Sequence, residues 1–203
     1  LLANQKASST TNIHQAYNLI FGTGNSFESI FEVQIDYTYD NKNDFLRSYY
    51  GALDVDMGAL SASSFLAEGT QLGNKYFAKT DIRPYGLFDV KDVNVYSIRK
   101  YVASYIDDQG EAQKRYGDYA NWILYRLTDV MLMEAEALVE RNDSASNDLR
   151  MAFNLADAVY RRSNLAAQVK DSLTFNSYST QNQMREFVLL ERQRELMFEG
   201  KRW

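Results

Sequence analysis

Asn121–Glu140 reads NWILYRLTDVMLMEAEALVE, and its apolar residues decide the fold class. Leu124, Leu127, Met131, Ala135 and Leu138 recur at steps of three and four, which puts them on one face of an α-helix. A polar turn, Asn142 to Ser146, follows. Asn147 or Asp148 can then cap a second helix, on which Leu149, Ala152, Phe153, Ala156, Val159 and Tyr160 share a face. Thr180 and Gln183 have the spacing of a capping box in front of a third helix. Phe187, Leu190 and Met197 line one side of that helix, with Leu189 and Leu196 beside them. Small residues at Ala135, Ala152 and Ala156 let neighbouring helices approach closely. The pattern predicts a mainly α fold built from antiparallel helix pairs of the tetratricopeptide kind.

Upstream of Asp118 the grammar is different. Nearly all of the 10 glycines and the single proline, Pro84, lie there. Thr10 or Thr11 can cap a short helix carrying Ile13, Ala16, Tyr17 and Ile20 on one face, with Gly22 to end it. SIFEVQI (Ser29–Ile35) alternates, so Phe31, Val33 and Ile35 are expected on the buried face of a strand and Glu32 and Gln34 on the other. From Asp36 to Gly117 no period is sustained, and a long irregular region in a compact domain usually serves binding or contact with another chain. The reading is a loop-rich segment over 1–117, with a short helix and minor β-structure, running on into a helical region over 118–203 as one continuous fold.

Composition bounds the chemistry. A chain of 203 residues can bury a sizeable core. Its net charge of −5, with no clustered Lys and Arg, gives nucleic acid no basic surface to bind. There are no cysteines and one histidine, His14, which removes thiol catalysis and makes zinc and Ser-His chemistry poor fits. No apolar run approaches bilayer length. Tyrosine is abundant, 15 residues. Its ring and hydroxyl suit wet binding surfaces as well as core edges.

Individual motifs point away from catalysis. Glu134, Glu136, Glu191, Glu195 and Glu199 invite comparison with the paired carboxylates of glycosidases. Glu191 and Arg194, Arg192 and Glu195, and Glu199 and Arg202 are each three apart, however, the spacing of ion pairs within one helix. Such residues can also bind a neighbouring helix. Asp40–Asp44 (DNKND) has Lys42 where a calcium loop needs an oxygen ligand. Asp54 and Asp56 are two acids in a solvated loop, and no phosphate loop or nucleotide fingerprint is present. No catalytic residue, metal site or cofactor is expected.

Six blocks then resemble, in order, the SusD/RagB family of outer-membrane glycan-binding lipoproteins of Bacteroidetes. ESIFEVQ (Glu28–Gln34) is similar to a strand of that family, TDIRPY (Thr80–Tyr85) to its Asp-x-Arg element, and SIRKY (Ser97–Tyr101) to the Lys-aromatic step that follows. In Asn121–Glu140, Arg126, Asp129, Leu132, Ala135, Glu136 and Ala137 fit the family's helix in register, and FNLADAVYRRSN (Phe153–Asn164) resembles the next one. LLERQRELMFEGKRW (Leu189–Trp203) is the most specific: Glu191, Arg192, Glu195, Leu196, Phe198, Glu199, Gly200, Arg202 and Trp203 all fit the signature.

The resemblance implies a non-enzymatic protein on the outer face of the outer membrane. Its partners would be an oligosaccharide or polysaccharide and a SusC-like TonB-dependent transporter. It also implies that this chain is a central-to-late part of a longer lipoprotein, whose lipid anchor lies upstream and supplies its only link to the membrane. Sugar capture asks for aromatic faces and amide groups in loops. The candidates are Tyr37, Tyr39, Asn43, Tyr49 and Tyr50, which follow the strand in polar sequence with no periodic core to join. A module that docks on the transporter without itself binding sugar is the second reading.

Overall fold

The computed structural model describes residues 19–22, 24–35, 76–78, 80–92, 95–98, 100–101, 104–106, 112–114, 120–164 and 173–201. Among these the fold is mainly helical. Strand β1 (Ser29–Val33) is followed by a short helix α1 (Arg83–Leu87) and by strands β2 (Phe88–Asp92), β3 (Val95–Ile98), β4 (Ser104–Ile106), β5 (Ala112–Lys114) and β6 (Trp122–Arg126). Helices α2 (Leu127–Arg141), α3 (Asp148–Ser163) and α4 (Gln181–Glu195) complete the chain, with a 3-10 turn at Phe175–Tyr178 before α4. The strands form three antiparallel pairs, β1 with β6, β2 with β3 and β4 with β5.

The opening stretch divides where a single helix was expected. Trp122–Arg126 is a strand, and the helix starts only at Leu127. Local periodicity loses here to pairing across the chain: Phe31 lies opposite Tyr125 and Val33 opposite Trp122, and the Leu127 amide donates to the Glu28 carbonyl at 2.8 Å. The strand's facing also differs from expectation. Phe31 is 56% exposed and Val33 44% exposed, while Glu32 is half-buried. Register shifts on both sides of Phe31 break the strict alternation on which the sequence reading relied.

Two apolar clusters hold the parts together. Leu132, Ala135, Ala152, Phe153, Ala156, Met184, Phe187 and Val188 pack α2, α3 and α4 into one core, whose alanines are fully buried between helices. Asn142 ends α2 in the left-handed region at φ 49°, its amide donating to the Leu138 carbonyl. Asn147 stands at the cap position of α3 but makes no side-chain cap bond, and Asp148 is instead held by Arg141. Thr180 and Gln183 form the expected capping box. The second cluster contains Ile20, Phe21, Phe77, Leu87, Tyr101, Ala120 and Ile123. There Tyr101 stacks on Trp122 with ring centroids 4.8 Å apart.

Helix α4 also stops earlier than its charge pattern predicts. It ends at Glu195, and Leu196–Gly200 form a turn in which Phe198 has φ 65° and Gly200 φ 70°. A bulky residue at positive φ is uncommon and costs on the order of 1–3 kcal/mol. The turn brings Glu199 back onto β6, so Met197 contributes to the second cluster rather than extending the helix.

Candidate functional site

The charged side chains converge at the junction of β6, α3 and α4. Arg126, the last residue of β6, is 1% exposed, and its five N–H groups meet five acceptors. Nε and Nη2 donate to Glu199, at 3.0 and 2.7 Å. Nη1 donates to Glu195 at 2.8 Å and Glu28 at 3.2 Å, and Nη2 also reaches the Glu195 carbonyl at 3.0 Å. Arg83, equally buried, grips Asp81 through Nε and Nη2 and donates from Nη1 to Glu191 at 2.6 Å. Arg162 on α3 bridges Glu28 at 2.6 Å and Glu195 at 2.5 Å.

Lys100 pairs with Glu199 and donates to the carbonyls of Glu195 at 2.8 Å and Met197 at 2.9 Å. Burial pushes its ammonium down to about 8, with Arg126 adding to the effect, although Glu199 opposes it. Burial alone would raise the Glu195 carboxyl, yet Arg162, Arg126 and Arg83 together hold it well below the usual carboxylate range. Glu199 is likewise lowered, by Arg126 and Lys100 acting against burial. Arg194 joins through Glu191 at 3.2 Å. Five bases (Arg83, Lys100, Arg126, Arg162, Arg194) thus face five acids (Glu28, Asp81, Glu191, Glu195, Glu199), and the centre is neutral as a whole.

This arrangement corrects the intrahelical pairing expected of α4. Only Glu191 with Arg194 has it. Arg192 faces α2 instead, with Nε 3.3 Å from Glu136 and Nη1 3.7 Å from Asp129, which Lys201 also binds at 2.6 Å. Residues three apart on one helix can meet, but Arg192 and Glu195 find partners on other elements, Glu195 at a buried site where the interaction is stronger. Arg202 lies outside the described residues. A carboxylate poised as a general acid needs a raised pKa and reach to a substrate. Glu195 and Glu199 have neither.

A separate cleft opens where the 3-10 turn meets the first turns of α4. Its volume is about 690 Å³, within the range of small-ligand pockets, ~300–1,000 Å³. Tyr178 forms one wall, stacked on Phe187 with centroids 4.5 Å apart. Tyr160, only 6% exposed, lines it from α3 and has no hydrogen-bond partner for its hydroxyl among the described residues. Asn182, Gln183 and Glu186 line it from α4. The Asn182 and Gln183 carbonyl oxygens are already taken, by Arg185 and by Thr180, which leaves their amide N–H groups for a ligand. Tyr160 does lie on the core face of α3 and Gln183 in the cap of α4, as the sequence predicts. Packing of the 3-10 turn against α4, which has no local sequence signal, turns those residues into a wall.

The loop candidates Tyr37, Tyr39, Asn43, Tyr49 and Tyr50 lie outside the described residues. So do the DNKND run and the Asp54 and Asp56 pair. No helix of the described residues is long and apolar enough to cross a membrane.

Comparison with known proteins bears on the same geometry. A family model described as the SusD family matches residues 89–203, the part that carries Lys100, Arg126, Arg162 and the acids of α4. Two solved structures resemble the fold. One is a SusD superfamily protein from Bacteroides vulgatus, with TM-score 0.55 and 19% identity over 87% of this chain and 34% of that one. The other, from Bacteroides thetaiotaomicron, has TM-score 0.59 and 16% identity over 92% of this chain and 39% of its own. The chain therefore spans well under half the length of either. No curated protein matches it.

Proposed function

The chain belongs to the SusD family, and from that premise we propose that it serves glycan capture on the outer surface of the bacterial outer membrane. The oligosaccharide would pass to a SusC-like TonB-dependent transporter for uptake, with a lipid anchor in the full-length protein holding it to the membrane. Family membership supports glycan binding in polysaccharide utilisation. One observation favours binding over hydrolysis: the acids nearest in kind to a glycosidase pair, Glu191 and Glu195 on α4 and Glu199 in the turn after it, are buried and each is bound by arginine or lysine. Glycosidases need two carboxyl groups flanking an open cleft. These carboxylates instead brace a scaffold, and the tyrosine-rich stretch that follows β1 in sequence is the proposed source of stacking surfaces.

Tyr37, Tyr39, Asn43, Tyr49 and Tyr50 remain the proposed loop contacts. Calorimetric titration of their alanine variants tests them. Affinity for a bound oligosaccharide should fall by about tenfold or more for a ring that stacks on sugar, at ~1–3 kcal/mol per ring by analogy with base stacking. Unchanged affinity would dismiss the set.

A second reading, docking on the transporter without sugar binding, has its own observation. Phe31 and Tyr125 lie opposite each other across β1 and β6, and Leu127, Val130 and Met133 on α2 are exposed apolar residues as well. Contiguous exposed apolar surface commonly marks contact with another protein. Capture on glycan resin compared with capture by transporter-containing membranes separates the two readings.

A further inference from the structure

We propose that the cleft between the 3-10 turn and α4 is a saccharide subsite selective for neutral sugar units over acidic ones. The proposal rests on the glycan-binding reading and adds a place and a specificity to it. Three properties of the cleft carry it. The Tyr178 ring, backed by Phe187, is a rigid flat wall of the kind that accepts the apolar face of a pyranose. Around it stand groups whose hydrogen-bonding capacity is not used up among the described residues: the Tyr160 hydroxyl, the Asn182 and Gln183 amide N–H groups and the Glu186 carboxylate. Donors and an acceptor side by side match the neighbouring hydroxyls of a sugar, each of which both gives and receives a hydrogen bond.

The Tyr160 hydroxyl is the most telling of these. A tyrosine 6% exposed normally finds a partner for its hydroxyl, whereas this one has none among the described residues and lines the cleft. Selectivity follows from charge. Arg194, the cation lining the cleft, is committed to Glu191 and to the Tyr76 carbonyl, and Arg185 is committed to Glu140 and Asn182. Glu186 has no ion pair among the described residues, and its cationic neighbour Arg185 is bound by Glu140, so the open charge on this side of the cleft is negative. A uronate or sulfated unit would meet like charge there, and a neutral hexose or pentose would not.

The test is calorimetric titration of the protein and of Tyr160→Phe, Tyr178→Ala and Glu186→Gln. Neutral oligosaccharides of glucose, xylose, mannose and galactose are compared with oligogalacturonate. Tyr160→Phe keeps the ring and loses one hydrogen bond, so neutral-sugar affinity should fall about three- to tenfold. Tyr178→Ala should lower it further, and Glu186→Gln should raise oligogalacturonate binding relative to the neutral set. Neutral oligosaccharide binding with unchanged affinity in all three variants would overturn the subsite while leaving the glycan-binding reading in place. Absence of any oligosaccharide binding by the parent protein would overturn both. Should Tyr178→Ala unfold, Tyr160→Phe and Glu186→Gln decide the matter alone.

Discussion

Arg126 grips Glu199 through two parallel hydrogen bonds, Nε to Oε2 at 3.0 Å and Nη2 to Oε1 at 2.7 Å, with both side chains shielded from solvent. They lie 73 residues apart in the chain, one ending a strand and the other beyond the end of a helix. The pair joins the small sheet to the helical layer. Removing one member leaves a buried charge without compensation, which typically costs about 3–5 kcal/mol. Glu199→Gln should therefore lower the unfolding free energy by that amount, measured by urea denaturation. Arg126→Met together with Glu199→Leu should cost less than the sum of the single changes, because the pair is lost as a unit.

The same centre gives stability a pH dependence of definite sign. Glu195 and Glu199 have folded-state pKa values below their usual one, so the folded protein binds fewer protons than the unfolded chain at mildly acid pH. Their contribution is complete above about 4.5 and is lost as pH falls through the lower folded values. Urea midpoints measured from pH 7 down to pH 3 should fall most steeply below 4.5. In Glu195→Gln that fall should be shallower, on a lower plateau.

Gly24 has φ +73°, and a Cβ there would stand 2.3 Å from the Asn121 side-chain nitrogen. Asn121 Nδ2 donates to Glu32 at 2.7 Å and its Oδ1 accepts from the Ile35 amide at 2.9 Å, which ties β1 to the residue just ahead of β6. Gly24→Ala must strain the backbone and push that amide aside. A loss of about 1–3 kcal/mol is expected in thermal or urea unfolding, and a change below half that would show that the turn is free to relax.

Thr180 accepts from the Gln183 amide and Gln183 answers at the Thr180 amide at 3.2 Å. Thr180→Ala should cost about 1 kcal/mol. Hydrogen exchange should speed up in the first turn of α4 rather than at its end.

The helices α3 and α4 were legible in the sequence because their apolar spacing, the capping box and the small residues at Ala152 and Ala156 are all local signals. The strand Trp122–Arg126 was not, since its helical spacing is genuine and only its distant partner, Ser29–Val33, forces it to extend. The acids and bases of the centre were visible one by one, Asp81 and Arg83 in one block, Lys100 in another, Glu191 to Glu199 in a third. Their pairing depends on which elements lie together in space, and spacing along one helix pointed to the wrong partners. The cleft escaped for the same reason: Tyr160, Tyr178 and Glu186 belong to three elements, and each has an ordinary role in its own.

The most direct measurement is to incubate the protein with a panel of plant and host oligosaccharides, following binding by calorimetry and the integrity of the glycan by chromatography. Saturable binding with the glycan recovered intact is the result predicted for a protein whose carboxylates brace a scaffold. Release of shortened products, abolished by Glu191→Gln in a variant that remains folded, would contradict it.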